Sequence, residues 1–556
     1  MSISWEATAR AKNRLANERG AVHKDWGGRL PVALVYPNTY AVGMSSLGFQ
    51  IVYRLLNDDA EVVCERAFYE AAGRQARPGE TILSLESQRP LGDFAALAFS
   101  VTFELDYYHV VATLRDAGLP LWASDRDERH PLVIGGGPCL TANPEPVAPF
   151  FDAIIIGEAE PVLPALVATL RRQSGRAETR RALAQVPGVY VPSFYESVYA
   201  EHGRLTDVEV AQGAPAVVGR VWLRQLDDGP GASAIVTPDT ALSDMYLVEV
   251  TRGCARGCLY CLAGYCFLPA RERHPESVLA AARRGLALTR KIGLVGAAVA
   301  DYSCFEEVVR QLYAEGARVS VSSLRVDTLS EPIARALVEG GARTATLGVE
   351  AGSQRLRDLV HKGIGDDDVV RAVDAAAAAG FSQAKLYFMI GLPGESDADV
   401  DEIGRLAIRL AERLEKARKG GRVTVAVASF VPKAQTPFQW MAMAESGVLH
   451  QRLARLRAAL RAKRIEVRAE GVDWARVEGV LARGDRRLAV VLATMDRNSL
   501  AAWNRALAQQ GLTADAYLRP RTVGEVLPWA AVSTGVQASA LARLGGRAAR
   551  EADPIR

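Results

Sequence analysis

Three cysteines lie close together near the middle of the chain, and no other stretch restricts the fold so strongly. Cys254, Cys258 and Cys261 follow a strand-like run, and Gly253 and Gly257 make the connecting loop permissive. Three thiolates at spacings of four and three residues can surround one metal centre. Soft sulfur ligands select zinc, copper(I) or iron–sulfur clusters. The fold must therefore hold this loop at the end of a strand.

The segment resembles the signature of the radical S-adenosylmethionine (SAM) superfamily, Cys-x-x-x-Cys-x-aromatic-Cys, with Tyr260 as the aromatic residue. The resemblance implies that the three cysteines are the catalytic residues and the metal ligands of a [4Fe-4S] cluster. In that family the remaining iron chelates the amino and carboxylate groups of SAM, and the reduced cluster cleaves SAM to a 5′-deoxyadenosyl radical. A structural zinc loop, completed by Cys266 or His274, is the alternative.

The length and composition describe a multidomain globular protein. At 556 residues the chain is too long for one hydrophobic core. Charged residues make up 24% and the net charge is +3, so no general polyanion-binding field is expected. Seven cysteines, three of them in one loop, do not indicate a disulfide framework. Because no signal peptide is recognised and no run approaches the ~20 apolar residues of a membrane span, we expect a cytoplasmic location.

Strand-like and helical segments alternate over residues 30–172. This alternation predicts a doubly wound parallel sheet, with ligands at the carboxyl ends of its strands. The run Gly135 to Gly137 would let a flat ligand approach the backbone, or would form a tight turn. The segment is similar to the cobalamin-binding domain that precedes many radical SAM cores. It lacks the Asp-x-His-x-x-Gly motif that supplies the axial histidine, and His109 and His130 lie outside such a context.

A second α/β region follows the cysteines. Together with the strand before Cys254, strands predicted at 294–300, 319–324, 344–349, 383–390 and 422–430 make six in βα alternation. Six strands are the number in the partial (β/α)6 barrel of the superfamily. Chemistry in such barrels lies at the carboxyl ends of the strands.

The resemblance assigns cofactor-binding roles to residues at these strand ends. Asp301 stands where the family often has a Gly-Gly-Glu triplet that contacts the SAM amino group. Ser322 and Arg325 follow the third strand and would meet the SAM carboxylate or ribose, although Arg325 could equally be a solvated turn residue. Glu350 lies in a Gly-x-Glu-Ala-Gly segment, where the carboxylate would accept hydrogen bonds from the ribose hydroxyls.

The remaining cofactor-binding candidates are Tyr260 and a glycine-rich turn. Gly391, Pro393 and Gly394 belong to a Gly-Leu-Pro-Gly-Glu stretch that, by resemblance, packs the SAM adenine. The two glycines would admit the flat base.

The domain organisation is predicted from these segments. We expect an N-terminal leader (1–29), a cobalamin-binding-like α/β domain (30–172), a β-containing connector (173–243), the radical SAM core barrel (244–440) and a basic C-terminal domain (441–556), which is α/β or mainly helical. Residues 451–464 predict a basic amphipathic helix, whose arginines are either solvated or contact RNA phosphates.

Three functions are consistent with the sequence. The first is a radical SAM enzyme that acts on an unknown substrate, RNA or a protein, and takes electrons from a low-potential donor such as flavodoxin or ferredoxin. The second is a cobalamin-dependent radical SAM methyltransferase. The third is a non-catalytic iron–sulfur sensor or RNA-binding protein, which would not turn over SAM.

Overall fold

The chain forms two compact units. A computed structural model describes residues 5–70, 81–172, 175–201, 203–321 and 324–552. The first unit, called the sheet unit, comprises Met1–Tyr246, Leu481–Thr513 and Gly524–Gly535. The second, called the cysteine unit, comprises Leu247–Val480, Ala514–Val523 and Val536–Arg556.

The β-strands are short and most belong to parallel sheets. In chain order they are β1 Leu30–Tyr36, β2 Val62–Phe68, β3 Ala96–Ser100, β4 Leu132–Gly136, β5 Ala153–Ile155, β6 Val189–Tyr190, β7 Tyr195–Tyr199, β8 Leu205–Val210, β9 Val218–Gly219, β10 Tyr246–Glu249, β11 Thr251–Arg252, β12 Arg271–Glu272, β13 Lys291–Val295, β14 Arg318–Val321, β15 Leu324–Arg325, β16 Thr344–Glu350, β17 Gln383–Ile390, β18 Arg422–Ser429, β19 Glu466–Ala469 and β20 Val532–Ser533.

The helices alternate with these strands, and among those described none is long and apolar enough to cross a membrane. They are α1 Trp5–Asn17, α2 Tyr40–Gly43, α3 Leu47–Asp58, α4 Tyr107–Asp116, α5 Pro138–Ala142, α6 Leu163–Arg171, α7 Arg176–Leu183, α8 Ala263–Cys266, α9 Pro275–Leu286, α10 Phe305–Ala314, α11 Glu331–Glu339, α12 Gln354–Leu359, α13 Asp366–Ala379, α14 Asp397–Ala417, α15 Ser446–Arg461, α16 Val472–Arg483, α17 Arg487–Thr494, α18 Leu500–Gln509, α19 Ala514–Leu518 and α20 Ala538–Ala552.

The sheet unit contains the doubly wound sheet that the sequence predicts. Its strand order is β2-β1-β3-β4-β5-β6, in which β1 to β5 are parallel and β6 pairs antiparallel with β5. β1 is buried over its last five residues and β2 over its whole length, as expected for a parallel sheet covered on both faces. The order reverses between β1 and β3, and ligands of open α/β sheets bind at the carboxyl side of such a switch point.

The C-terminal region, predicted as one basic domain, is divided between the units. Residues of α17 and α18 and strand β20 belong to the sheet unit, where β20 pairs in parallel with β9. The Asn143 side-chain amide donates hydrogen bonds to the carbonyls of Ala482 and Gly484 at 3.2 and 2.9 Å. Helices α19 and α20 belong to the cysteine unit. The composition of residues 441–556 is uniform enough to conceal this division.

The cysteine unit carries the predicted βα alternation. Its two main sheets have the strand orders β10-β13-β14 and β15-β16-β17-β18-β19, and the pairs in the second sheet are parallel. β19 is a further parallel strand that the sequence did not predict. The strand predicted at 294–300 instead occupies Lys291–Val295. It ends before Gly296, where a Cβ would lie 2.2 Å from the Thr251 hydroxyl oxygen, and Val299–Asp301 form a separate turn.

The last helix of the chain packs into the core of the cysteine unit. Ala548 of α20 lies in one buried hydrophobic cluster with Leu259, Leu392 and Phe438. A Cβ at Gly545 would lie 2.2 Å from the Pro437 carbonyl oxygen, so the helix backbone approaches that turn closely. Leu259 separates the second and third cysteines in the sequence. The C-terminal helix therefore supports the cysteine loop although nearly 290 residues separate them.

Candidate active site

The cysteine loop connects β11 to α8 through two glycines with left-handed conformations. Gly253 and Gly257 have φ values of 82° and 71°. A Cβ at position 253 would lie 2.3 Å from the Phe267 carbonyl oxygen, whereas nothing lies within 4 Å of one at position 257. Glycine is therefore required at position 253 for both its backbone angle and its close contact.

Backbone hydrogen bonds fix the second half of this loop. Leu259 is fully buried, and its N–H donates to the Val360 carbonyl at 3.1 Å. The Cys261 N–H donates to the Cys258 carbonyl at 3.1 Å, and the Gly264 N–H donates to the Cys261 carbonyl at 3.2 Å. The second and third cysteines thus have a defined backbone, anchored by a core residue between them.

All three cysteines are free thiols, and burial perturbs two of them. Burial raises the pKa of the Cys258 thiol, while the nearby charges of Lys362 and Arg325 act in the opposite direction. Burial also raises the pKa of the Cys261 thiol, against hydrogen bonding from the Gly264 backbone. A metal site takes such thiols as thiolates, so metal binding here would release protons.

Tyr260 lies among the charged groups of the site and is partly buried. Burial raises the pKa of its hydroxyl well above the ordinary value, and the Glu350 carboxylate acts in the same direction. The predicted aromatic residue is thus close enough to feel the charge of the carboxylate that the family resemblance assigns to the ribose.

Glu350 is held in a strained conformation at the carboxyl end of β16. It has φ of 72°, and the register between β16 and β17 shifts between Gly348 and Glu350. The Lys362 ammonium donates to Glu350 Oε1 at 3.0 Å, and the two side chains are only 8% and 18% exposed. A Cβ at Gly348 would lie 2.7 Å from Oε1, so glycine leaves room for the carboxylate. A positive φ at a non-glycine residue costs about 1–3 kcal/mol and persists only where the surroundings impose it.

Arg357 holds the backbone that follows Glu350, a role that no sequence pattern indicated. Its side chain is fully buried, and Nη1 donates to the carbonyls of Ala351 and Gly352 at 3.0 and 2.8 Å. It also pairs with Asp366. The guanidinium thus satisfies the carbonyls directly after Glu350. A fully buried arginine in a helix has no periodicity signal that distinguishes it from a solvated one.

Arg325 is the last residue of β15 and belongs to the same polar cluster; the strand predicted at 319–324 is divided between β14 and β15, which lie in different sheets. Its Nε and Nη2 donate to the Asp327 carboxylate at 2.9 and 3.0 Å, and Nη2 also donates to the Lys362 carbonyl at 3.3 Å. Its side chain is 11% exposed, so it is not a solvated turn residue. Ser322 lies outside the described residues.

Asp301 is paired with a residue of the cysteine loop that sequence reasoning missed. The Arg256 Nε and Nη2 each donate to one Asp301 oxygen at 2.7 Å. Arg256 stands between Cys254 and Cys258, and its position inside the first cysteine spacing was the only signal available. The predicted contact of Asp301 with the SAM amino group stays a prediction.

The glycines of the predicted adenine turn are close to neighbouring helices. Gly391 and Gly394 have φ of 84° and 70°. A Cβ at Gly391 would lie 2.6 Å from Leu449 Cδ2, and one at Gly394 would lie 2.8 Å from Ala552 Cα. Both glycines are therefore required by packing as well as by conformation. Pro393 between them is partly exposed, and the adenine role of all three residues stays a prediction.

Comparison with protein families identifies the class of this site. The model described as radical SAM superfamily matches residues 248–407, and the model described as radical SAM proteins, N-terminal, matches residues 48–192. The chain belongs to the radical SAM superfamily. It is a radical SAM enzyme, and the cofactors of that class are a [4Fe-4S] cluster and SAM.

The names of the similar proteins do not assign a substrate. An uncharacterized protein of Methanocaldococcus jannaschii is 28% identical over 83% of this chain and 90% of its own length. An uncharacterized methyltransferase of Pyrococcus horikoshii is 27% identical over 50% of this chain and 58% of its own. Among solved structures, the radical SAM methyltransferase TsrM of Kitasatospora setae has a TM-score of 0.45 and 14% identity, covering 72% of each chain. The enzyme OxsB has 0.46 and 14%, covering 79% of this chain and 62% of its own.

The side chains of this site have the chemistry that a [4Fe-4S] cluster requires. Three free thiols lie on one loop, and lysine and arginine side chains act on the most buried of them. Within the described part of the chain, no group of three or more His, Cys, Asp or Glu side chains is already arranged to hold a metal ion. That finding applies equally to a zinc site completed by Cys266 or His274.

The carboxyl edge of the sheet unit has its own polar cluster, in which His109 takes part. His109 is buried, with Nδ1 3.0 Å from the Pro37 carbonyl and Nε2 3.1 Å from the Asn498 side-chain amide. Because a carbonyl can only accept, Nδ1 carries the proton and Nε2 accepts from Asn498. The Asn38 amide donates to Asp106 at 2.8 Å. His109, which in the sequence lies outside any cobalamin motif, is thus at the end of β1.

The predicted basic helix is α15, and acidic residues neutralise part of it. Arg452 Nη1 donates to Glu395 at 2.8 Å, and Arg455 forms two hydrogen bonds of 2.6 Å with Asp401. Arg457 and Arg461 are exposed. The helix is thus bound to α14 through its charges, which reduces the positive surface left for RNA.

Proposed function

We propose that Cys254, Cys258 and Cys261 hold a [4Fe-4S] cluster and that SAM binds beside it, at the strand ends that carry Arg325 and Glu350. The single observation that supports this is that one short segment contacts both the cysteine loop and the strand ends. Leu259 of the loop donates to the Val360 carbonyl, and Lys362 in the same segment pairs with Glu350 and accepts from Arg325. When bound, the cluster and SAM supply a 5′-deoxyadenosyl radical that abstracts hydrogen from the substrate.

The residues of the chain bind and orient in this proposal. Lys362 donates a hydrogen bond to Oε1 of Glu350, and none of the described residues donates to Oε2. Oε2 is therefore the oxygen that accepts a hydrogen bond from the ribose. Arg357 fixes the backbone behind it. Leu259 and the core beneath it keep water from the side of the loop that faces the interior.

Anaerobic reconstitution with iron and sulfide tests the proposal. We expect about four irons per chain and release of 5′-deoxyadenosine from SAM with a strong reductant, and both should be lost in Cys258→Ala. Cys304→Ala is the matched control, because Cys304 is a partly exposed cysteine of the same unit outside the loop. Zinc in place of iron, with intact SAM, would contradict the proposal and favour a sensor or binding protein.

A second candidate is cobalamin-dependent methyl transfer, favoured by the sheet unit. Its order β2-β1-β3-β4-β5 has the switch point of cofactor-binding flavodoxin-like sheets. The loop after β1 reads Asn38-x-Tyr40-x-x-Gly43, which keeps the spacing of Asp-x-His-x-x-Gly with other residues. The methyltransferase name of the Pyrococcus relative agrees with this candidate.

The polar groups of this loop do not offer an axial ligand for cobalt. The buried Tyr40 hydroxyl donates to Glu18 at 2.6 Å, and His109 Nε2 accepts from Asn498. Cobalamin would therefore bind without a protein ligand to the metal. Equilibrium dialysis of the protein with hydroxocobalamin tests this candidate. Binding of cobalamin by wild type, with the same visible spectrum in His109→Gln, supports it. Absence of binding by wild type excludes it.

The partners follow from the same chemistry. A radical SAM enzyme needs a one-electron donor of low potential, for which we propose flavodoxin or ferredoxin. Seven free cysteines favour a reducing compartment, the cytoplasm. The substrate is unknown, and we propose RNA and protein as the two candidate classes. The ion pairs of α15 leave less positive surface for RNA, so we propose a protein as the preferred class. Binding of labelled RNA to the chain, with unlabelled RNA as competitor, tests this preference.

A further inference from the structure

The first half of the cysteine loop has few anchors of its own. Between Gly253 and Cys258, the Tyr265 hydroxyl donates to the Gly257 carbonyl at 3.2 Å, and Ala255 is exposed. Both flanking glycines have positive φ and allow many backbone conformations in the unfolded chain. The position of Cys254 relative to Cys258 therefore needs a further constraint.

Arg256 supplies this constraint from the centre of the spacing. Its guanidinium makes two parallel hydrogen bonds of 2.7 Å to the Asp301 carboxylate, and Nη1 lies 3.5 Å from Asp327. A two-point contact between planar groups fixes orientation as well as distance. Asp301 lies in the turn Val299–Asp301 beyond β13, and Asp327 follows β15, so one side chain ties the loop to the segments that follow two strands.

One acceptor of Arg256, Asp327, is itself held by a further side chain. Asp327 accepts from Arg325 at 2.9 and 3.0 Å, and Arg325 also donates to the Lys362 carbonyl. Lys362 in turn pairs with Glu350. Opposite charges thus alternate in a continuous chain from Asp301 through Arg256, Asp327 and Arg325 towards the Glu350 site. A rigid acceptor is required if the loop is to be positioned and not merely neutralised.

We propose that Arg256 is a positioning residue for the cluster, which fixes the first cysteine spacing through Asp301 and Asp327. This inference rests on the proposed function of the three cysteines. It assigns Asp301 a role in holding the loop, because both carboxylate oxygens already face the guanidinium. The Arg256 side chain is 40% exposed, so its loss should loosen the loop without unfolding the unit.

The first test uses the cluster-free chain. Alkylation of each cysteine by iodoacetamide is followed by mass spectrometry in wild type, Arg256→Gln, Arg256→Lys and Asp301→Asn. We expect Cys254 and Cys258 to react about threefold faster in Arg256→Gln and Asp301→Asn, with Arg256→Lys between them and wild type. The buried Cys64 and Cys139 of the sheet unit are internal references.

Arg283→Gln is the matched control, because Arg283 makes a similar two-point pair with Glu315 elsewhere in the cysteine unit. Equal alkylation rates in Arg256→Gln and Arg283→Gln would overturn the proposal. The second test is the half-time of iron removal by a chelator from the reconstituted enzyme, expected to be about threefold shorter in Arg256→Gln than in Arg283→Gln. If wild type takes up no cluster, the proposed function fails whatever the alkylation rates. If wild type takes it up and the rates do not differ, only the role of Arg256 fails.

Discussion

Replacement of Lys362 by methionine should leave a buried charge at Glu350 without its partner. The ammonium and Oε1 are 3.0 Å apart, and at an effective dielectric constant of about 20 two unit charges at that distance attract by roughly 5–6 kcal/mol. Desolvation opposes this attraction. Loss of one partner costs about 3–5 kcal/mol for a buried pair, whereas an exposed pair contributes about 0–1 kcal/mol. With side chains 8% and 18% exposed, we expect a loss of about 2–3 kcal/mol.

Native-state hydrogen exchange measures this loss locally, which matters in a chain with two compact units. Peptides that cover residues 344–365 should open more easily in Lys362→Met. A loss of 2–3 kcal/mol corresponds to exchange about 30- to 150-fold faster. In Lys362→Met/Glu350→Gln the uncompensated carboxylate is gone, so exchange should return most of the way towards the wild-type rate.

The Lys433–Glu478 pair offers a matched control in the same unit. Its atoms are 2.7 Å apart and its side chains are 18% and 13% exposed. Lys433→Met should accelerate exchange near residues 433 and 478 and leave residues 344–365 unchanged. The reasoning is refuted if Lys362→Met and the double variant exchange at the same rate, since Glu350 would then carry no buried charge that depends on Lys362.

Two further predictions concern the glycine-rich turn. Gly394→Ala should destabilise the docking of α20, because the added Cβ would meet Ala552. Gly363→Ala is the control, because Gly363 has a similar φ of 68° and nothing within 4 Å of its Cβ position. Faster proteolysis of the C-terminus in Gly394→Ala alone would agree with the packing argument, and equal proteolysis in both variants would contradict it. Burial raises the pKa of Glu395 to about 7, so the protonated form stabilises the fold at low pH and this contribution is lost as pH rises from about 4.5 through 7. The difference in melting temperature between wild type and Glu395→Gln should therefore become less favourable to wild type over that interval, and a constant difference would count against it.

The sequence predicted those parts of the site that follow from local pattern. The cysteine loop, the parallel sheet of the first unit and the strand ends that carry Arg325 and Glu350 all rest on short-range signals: glycines beside cysteines, or a buried strand followed by a polar residue. The family models agree with these assignments over residues 48–192 and 248–407.

The parts that it could not predict depend on contacts between distant residues. Nothing near Arg256 indicates that its partner is Asp301, and nothing near Ala548 indicates that it packs in one cluster with Leu259. The C-terminal region has one composition but is shared by two units, because tertiary packing and not local propensity decides where its helices lie. Asp301 illustrates the limit: the strand predicted to end beside it ends at Val295 instead, and its partner Arg256 was not predicted.

The strain at Glu350 is the strongest structural argument that this carboxylate has a function. A left-handed conformation at glutamate, a register shift and a glycine that clears Oε1 coincide at the end of β16. Arg357 and Lys362, both buried, hold the strained residue from two sides. Burying these cations beside a strained carboxylate is costly unless the position of the carboxylate matters. The charge of this carboxylate acts on Tyr260 of the cysteine loop, so the constraints converge on the place where we propose that SAM binds.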